Sequence, residues 1–429
     1  MKPLRMMVLF VFAMIAVGCQ ERVVIGDNGQ LPATDAGEDQ AEAEADAGVY
    51  AEASPEAEAD VQVETSEDAQ PDAEADAVID TAPALKTCTV QNTANLGVAD
   101  PIFLETVGGQ GFGLGLCPAA DSVCVLKTLS FQGDPTGNID VTGSKGQTGV
   151  VPFGSKDGYV VSYQAEDKFH ITSVVNNALT IDTLVQPGPV MSLAALETGG
   201  YWIGQYTGDP MDSSSTAFIR YIAPNGLIGN QLVLAYAQFP GVQNNLAGVA
   251  TIGQVVGAAV NTVDNTGLQT TSAFLRQEDG TIKRVDLDTF QANANPFSYV
   301  YGMTTLGGRF VVKWTSVADT IWTGHLSIMN TDGTGLETVD VSTEQMVTTI
   351  GENIAAVEYD QVMLKTVLRI YDDKLQPVTE PLTVVKDIKG YYMNYPRARG
   401  NSLDSIMVAY TEKQPDTTFA IKAAIISCQ

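Results

Sequence analysis

Through residues 86–429 short runs rich in Val, Ile, Tyr and Phe alternate with Gly, Asn, Asp and Pro, and helical periodicity is almost absent. Such a pattern predicts many short strands joined by tight turns. Two signals recur along it. The first is a glycine turn feeding an apolar strand, at Gly109, Gly158, Gly200, Gly253, Gly308, Gly351 and Gly400, with spacings of 49, 42, 53, 55, 43 and 49 residues. The second is a polar turn between two further strands, which follows each of the first six glycine turns. It falls at Asp134, Asn177, Asn225-Gly226, Asp279-Gly280, Asp332-Gly333 and Asp373. Asn and Asp-Gly tolerate the positive φ of tight hairpins, so these are hairpin turns.

Two interleaved signals of one period give about four strands per repeat, which is the blade of a β-propeller. The expected fold is therefore all-β: a seven-bladed β-propeller of four-stranded antiparallel blades. A misread glycine turn would make it six or eight. The strand after each glycine turn is apolar without interruption, as in Phe310-Val311-Val312, which suits a strand buried on both faces. Runs such as His325 to Met329 alternate and read as outer strands. After Tyr410 there is room for only one more strand, Phe419 to Ser427, so the last blade is one strand short. Thr87 to Val90 is expected to supply the missing strand and close the ring, which removes exposed sheet edges. The segment Leu326 to Val341, with its Asn330-Thr331-Asp332-Gly333-Thr334-Gly335 turn, resembles one repeat of the TolB-type and WD40-like propellers of bacterial envelopes.

The N-terminus follows a different logic. Lys2 and Arg5 precede an apolar run from Met6 to Ile15 and the tetrad Ala16-Val17-Gly18-Cys19. This is the order of a signal peptide, residues 1–18, and the run is shorter than the roughly 20 residues that span a bilayer. The tetrad resembles the bacterial lipobox, with Ala16 in place of the commoner Leu. The resemblance implies lipidation of Cys19, a lipid-anchored membrane partner and, with Gln20 following, an outer-membrane destination facing the periplasm or the surface.

Residues 19–85 then read as a tether. Between residues 20 and 85 stand nineteen acids and one base, Arg22, so this segment carries most of the net charge of −28. High charge of one sign with low hydrophobicity predicts disorder. As a flexible coil it would span roughly 45 Å. The acidity excludes nucleic acid as a partner, because phosphates need a basic footprint.

Once Cys19 is assigned to lipid, Cys88, Cys117, Cys124 and Cys428 remain, an even number in an oxidising compartment. Ring closure would set Cys88 beside Cys428, and Cys117 and Cys124 flank the Pro118 to Val123 turn, so these pairs are the expected disulfides. None of the four sits at the short spacing of a zinc site, and no metal or cofactor is expected.

No motif for a catalytic site stands out. The two histidines, His170 and His325, each occupy the strand before a polar turn and read as ordinary strand residues. There is no nucleophile elbow, metalloprotease helix or Walker loop. Gly143-Ser144-Lys145-Gly146 reads as an interblade turn, and Trp202 and Trp314 read as blade packing. Tyr391, Tyr392, Tyr395, Arg397 and Arg399 mix aromatics with arginine, a composition enriched at contact surfaces, and form the candidate binding stretch. The expected function is a non-catalytic recognition or scaffold module for a protein or glycan partner. The alternatives are a glycan hydrolase or lyase using carboxylates of the central channel, and a purely structural envelope component.

Overall fold

Among the described residues, twenty-eight strands fold into seven four-stranded antiparallel sheets. The computed structural model describes residues 86–429 except 99–102, 118–122, 142–143, 145–149, 166–167, 187, 197, 210–213, 239–243, 292–296, 319–320, 342–344, 361–364, 375, 387–396, 402 and 414–418. The expected signal peptide, Cys19 and the expected tether lie outside the described residues.

The first strand, β1 (Cys88–Val98), stands alone in sequence. Blade 1 follows with β2 (Phe103–Gly108), β3 (Gly111–Leu116), β4 (Val125–Leu129) and β5 (Pro135–Asp140). Blade 2 holds β6 (Val150–Ser155), β7 (Gly158–Ala165), β8 (Lys168–Val175) and β9 (Ala178–Val185). Blade 3 holds β10 (Val190–Ala195), β11 (Tyr201–Asp209), β12 (Ser214–Ile222) and β13 (Leu232–Gln238). Blade 4 holds β14 (Asn245–Ile252), β15 (Val255–Val263), β16 (Leu268–Arg276) and β17 (Ile282–Gln291). Blade 5 holds β18 (Phe297–Leu306), β19 (Arg309–Ala318), β20 (Ile321–Met329) and β21 (Glu337–Val341). Blade 6 holds β22 (Gln345–Ile350), β23 (Asn353–Asp360), β24 (Lys365–Tyr371) and β25 (Leu382–Val385). Blade 7 takes β26 (Arg397–Gly400), β27 (Ser405–Lys413) and β28 (Phe419–Cys428), and its fourth strand is β1.

The protein is a seven-bladed β-propeller. First strands of adjacent blades touch in an unbroken circle, β2 to β6, β10, β14, β18, β22, β26 and back to β2. Each first strand is therefore innermost and each fourth strand outermost. The hydrophobic core is divided accordingly into clusters between neighbouring blades. One joins Phe112 and Leu114 of blade 1 to Met407, Ala409 and Ile425 of blade 7. Another joins Ala259 and Leu275 of blade 4 to Phe310, Val312 and Trp314 of blade 5. A second strand has a neighbouring blade on both faces, which is why β3 and β15 are buried at every position and why their sequences do not alternate.

Inner strands approach backbone to backbone, and small residues permit it. A Cβ on Gly154 would lie 1.7 Å from the Val107 carbonyl oxygen, and one on Gly248 would lie 2.2 Å from the Met303 amide nitrogen. Buried asparagines then stitch blades together. Asn261 of β15 donates to the Ser298 carbonyl at 2.8 Å and accepts from the Val300 amide at 2.9 Å, satisfying polar groups that burial would otherwise penalise.

Three local expectations change. The closing strand β1 runs to Val98, well beyond Val90, with bulges at Val90/Asn92 and Asn95/Gly97. Its polar residues resemble a loop because an outermost strand exposes one face. His325 to Met329 lies in β20, the third strand and not an outer one. Gly400 ends β26, and the turn after it is organised by Asn401, whose side-chain oxygen accepts from the amides of Leu403, Asp404 and Ser405. In blade 6 the turn is held by Asp372, which accepts from the Lys374 and Gln376 amides. Its neighbour Asp373 sits in that turn as expected and is also paired with Arg309 of blade 5 at 2.6 Å.

Candidate functional site

The cysteines join where the strands place them. Cys88 and Cys428 are directly opposed in the β1–β28 ladder and form a disulfide, and Cys117 and Cys124 form a second at the ends of β3 and β4. Beside it Ser144 is buried, donating to the Val141 carbonyl at 2.6 Å and accepting from the Cys124 amide at 3.1 Å. The Gly143 to Gly146 segment is thus tied into the blade 1 edge at the one position described.

Of the aromatic and arginine stretch, Tyr391, Tyr392 and Tyr395 lie outside the described residues. Arg397 pairs through its backbone with Ala409, and Arg399, exposed, stands opposite Met407 in β27. Trp314 is buried between blades 4 and 5. Trp202 is only partly buried, tilted against Tyr221 and lying under the Arg276 guanidinium at 5.2 Å.

A groove that the sequence did not reveal opens between blades 3 and 4. Its volume is about 520 Å³, and its walls come from β13 (Leu234, Tyr236), the end of β15 (Thr262, Asp264), β16 (Leu268, Thr270) and β17 (Arg284, Asp286, Thr289). Tyr236 is 58% exposed at its edge. Alternation puts Leu268, Thr270, Ser272 and Phe274 on the blade 4 face that looks at blade 3, opposite Thr289, Asp286 and Arg284 of β17. Asp286 accepts from Ser272 at 2.9 Å and is paired with Arg284, whose guanidinium lies 5.8 Å from the centre of the Phe274 ring. At the rim, the Asp264 carboxyl is held below the usual range by the Thr266 hydroxyl and by backbone amides of its own turn. The same device, with threonine hydroxyls as the largest cause, lowers Asp279 and Asp332 in the blade 4 and blade 5 hairpins. An acid held ionised in this way is a poor proton donor at neutral pH.

The histidines sit in equivalent places of blades 2 and 5. His170 opposes Tyr163 in the β7–β8 ladder, stacks on its ring, and contacts Asp182 of β9 through Nδ1 at 3.1 Å. His325 opposes Trp314 in the β19–β20 ladder, stacks on it with ring centres 4.1 Å apart, and contacts Asp340 of β21 through Nδ1 at 2.9 Å. In blade 5 the other ring nitrogen, Nε2, meets Ser316 Oγ at 2.7 Å. The position equivalent to Ser316 in blade 2, two residues past the aromatic, is Ala165. His325 is therefore part of a Ser, His and Asp chain spanning three strands. Asp340 lies fifteen residues beyond His325 and Ser316 nine before it, so only strand register reveals it.

No family model and no curated protein sequence matches the chain. Among solved structures it is similar to a protein of unknown function from Dyadobacter fermentans, at 9% identity and a TM-score of 0.45 over 80% of this chain and 99% of that one. It is also similar to the polysaccharide lyase Uly1, at 8% identity and 0.49 over 79% and 99%. The β-propeller domain of the Trilobed protease from Pyrococcus furiosus gives 11% identity and 0.47 over 75% and 93%. At these identities the likeness is one of fold alone.

Proposed function

We propose that the chain is an envelope lipoprotein, cleaved before Cys19 and anchored by lipid on that residue to the outer membrane, which displays its propeller on the acidic 19–85 tether to recognise a glycan. The groove between blades 3 and 4 carries the recognition part of this reading. At about 520 Å³ and open to solvent, the groove has room for a sugar unit. An exposed tyrosine offers a face for a sugar ring, the exposed Thr289 offers a hydroxyl, and the Arg284–Asp286 pair offers both donors and an acceptor. The anchor rests on the Lys2/Arg5, apolar and Cys19 order at the N-terminus. A channel enzyme driven by carboxylates has less behind it, since among the described residues the carboxyls that the fold shifts, Asp264, Asp279 and Asp332, are turn residues held ionised.

The test uses the full chain in a bacterial host supplied with a labelled fatty acid. Label is expected on the wild type and absent from Cys19→Ala, which would leave the membrane fraction; an unlabelled wild type would sink the anchor. Binding of the mature protein to an array of envelope polysaccharides is expected to fall at least tenfold in the Tyr236→Ala, Arg284→Ala double variant. Equal binding by the variant, or retention of an envelope protein instead, would overturn the glycan assignment.

A further inference from the structure

The Ser316, His325 and Asp340 chain lies on the blade 5 face that looks at blade 4, apart from the groove between blades 3 and 4. We propose that it is a nucleophilic site for acyl transfer, with a short-chain carboxylic ester as its substrate class and Ser316 as the nucleophile. The inference stands independently of the anchor and of glycan binding.

The order of atoms is what acyl transfer to serine requires. The Asp340 carboxylate, 2.9 Å from Nδ1, accepts a hydrogen bond from the Nδ1–H, which keeps its proton. This fixes the neutral imidazole in the tautomer whose Nε2 is a bare lone pair, and Nε2 is the atom 2.7 Å from Ser316 Oγ. The parts are held on a sheet and not on loops: Trp314 opposes His325, and His325 opposes Asp340, in adjacent ladders. Trp314 restrains the imidazole from its face, and is itself fixed by its indole N–H donating to Ser327 at 2.9 Å. Positioning by rigid elements is what makes such a constellation effective.

Blade 2 shows which part of this arrangement is structural. There an aromatic, a histidine and an aspartate bind the second, third and fourth strands together with Ala165 in the serine's place. The tie between strands is thus achieved without a hydroxyl on Nε2. Blade 5 adds the hydroxyl, and the addition turns a tie into a base and a nucleophile.

The chemistry balances without any further reagent than water. Ser316 Oγ attacks the ester carbonyl carbon while its proton passes to His325 Nε2. The tetrahedral intermediate collapses, the acyl carbon to alkoxy oxygen bond breaks, and the departing alcohol takes the proton from Nε2. Water then attacks the acyl-serine by the same route and releases the carboxylic acid. Ser316 and His325 are the catalytic residues, and Asp340 acts through the imidazole as a positioning residue. The His325 side chain is 12% exposed and that of Asp340 is 77% exposed. Access is therefore narrow, which limits the acyl group, and the aspartate's hold is partly screened by water, which makes the site a slow esterase.

The decisive experiment treats the mature wild-type protein with a fluorophosphonate probe and maps the adduct by mass spectrometry. A single adduct on Ser316 is expected, with a burst of p-nitrophenol from p-nitrophenyl acetate at the same stoichiometry. Labelling should fall roughly a hundredfold or more in His325→Ala and about tenfold or more in Asp340→Asn, while His170→Ala leaves it unchanged. Absence of an adduct on folded wild type, or one that survives His325→Ala, would overturn the proposal. That reading needs no variant that folds poorly, and the melting midpoint of Ser316→Ala, expected within about 2 °C of wild type, separates a chemical role from a structural one.

Discussion

Cys88 is bonded to Cys428 across 340 residues and stands directly opposite it in the ladder that closes the ring. The bond therefore locks the strand that the N-terminus lends to the last blade. On the chain-entropy model a loop this long restricts the unfolded chain by about 6 kcal/mol, whereas the seven-residue separation of Cys117 and Cys124 gives about 2. The double variant Cys88→Ser, Cys428→Ser should lower the urea midpoint at least twice as far as Cys117→Ser, Cys124→Ser. Equal losses would show that ring closure is secured by the β1–β28 hydrogen bonds alone.

Gly154 tests how tightly the inner strands are packed. An added methyl would sit 1.7 Å from the Val107 carbonyl oxygen, and backbone cannot swing aside as a side chain can. Gly154→Ala should cost about 1–3 kcal/mol by forcing blades 1 and 2 apart. Gly253→Ala is the control. Nothing lies within 4 Å of its Cβ, and its φ of +57° costs only about 1 kcal/mol for a residue other than glycine. Chemical denaturation of the two variants checks the order.

These contrasts mark where the sequence is informative. Blade number and turn positions were legible because Gly253, Asp279-Gly280 and Asp332-Gly333 write a backbone requirement into one or two residues. The unbroken apolar run Phe310 to Val312 likewise announced burial on both faces. What could not be read depends on register between strands. Asn261 bridging to Ser298 and Val300, Ser316 reaching His325, and Tyr236 and Asp286 lining one groove between blades 3 and 4 are each set by which residues oppose one another, and a one-residue slip would reverse every face. Asp372 and Asp373 are the same problem in small: both stand at the blade 6 turn, and only the structure shows that Asp372 caps it while Asp373 reaches Arg309 of blade 5.

The hairpin aspartates give the fold an acid-side signature. Asp279 and Asp332 are held below the usual carboxylate value by Thr281 and Thr334 hydroxyls and amides. A lowered folded pKa contributes stability that is present above the unfolded value near 4 and is lost as pH falls through the folded value. The double variant Asp279→Asn, Asp332→Asn should therefore lose less stability than wild type on going from pH 5 to pH 2. Thermal melts across that range would contradict the assignment if the two proteins fell in parallel.

Lys313 gives the opposite slope on the alkaline side. It lies in β19 with its amine 5.6 Å from the centre of the Tyr301 ring, and burial pulls its pKa from 10.5 down to about 8. Below pH 8 the ammonium is charged in both states and the folded protein bears the full desolvation penalty. Between pH 8 and 10.5 the folded protein releases its proton while the unfolded chain keeps it, so the unfolded state binds more protons and stability rises with pH. Buried tyrosines work the other way, since burial raises Tyr159 and Tyr201, but their effect begins only near the unfolded tyrosine value of about 10. The window from pH 8 to 9.5 therefore isolates the lysine. Lys313→Met should be more stable than wild type at pH 7 and should lose most of that advantage by pH 9.5, because the wild type climbs toward it. Urea midpoints of both proteins at the two pH values decide the matter, and a constant gap between them would mean that the Lys313 amine keeps its proton throughout.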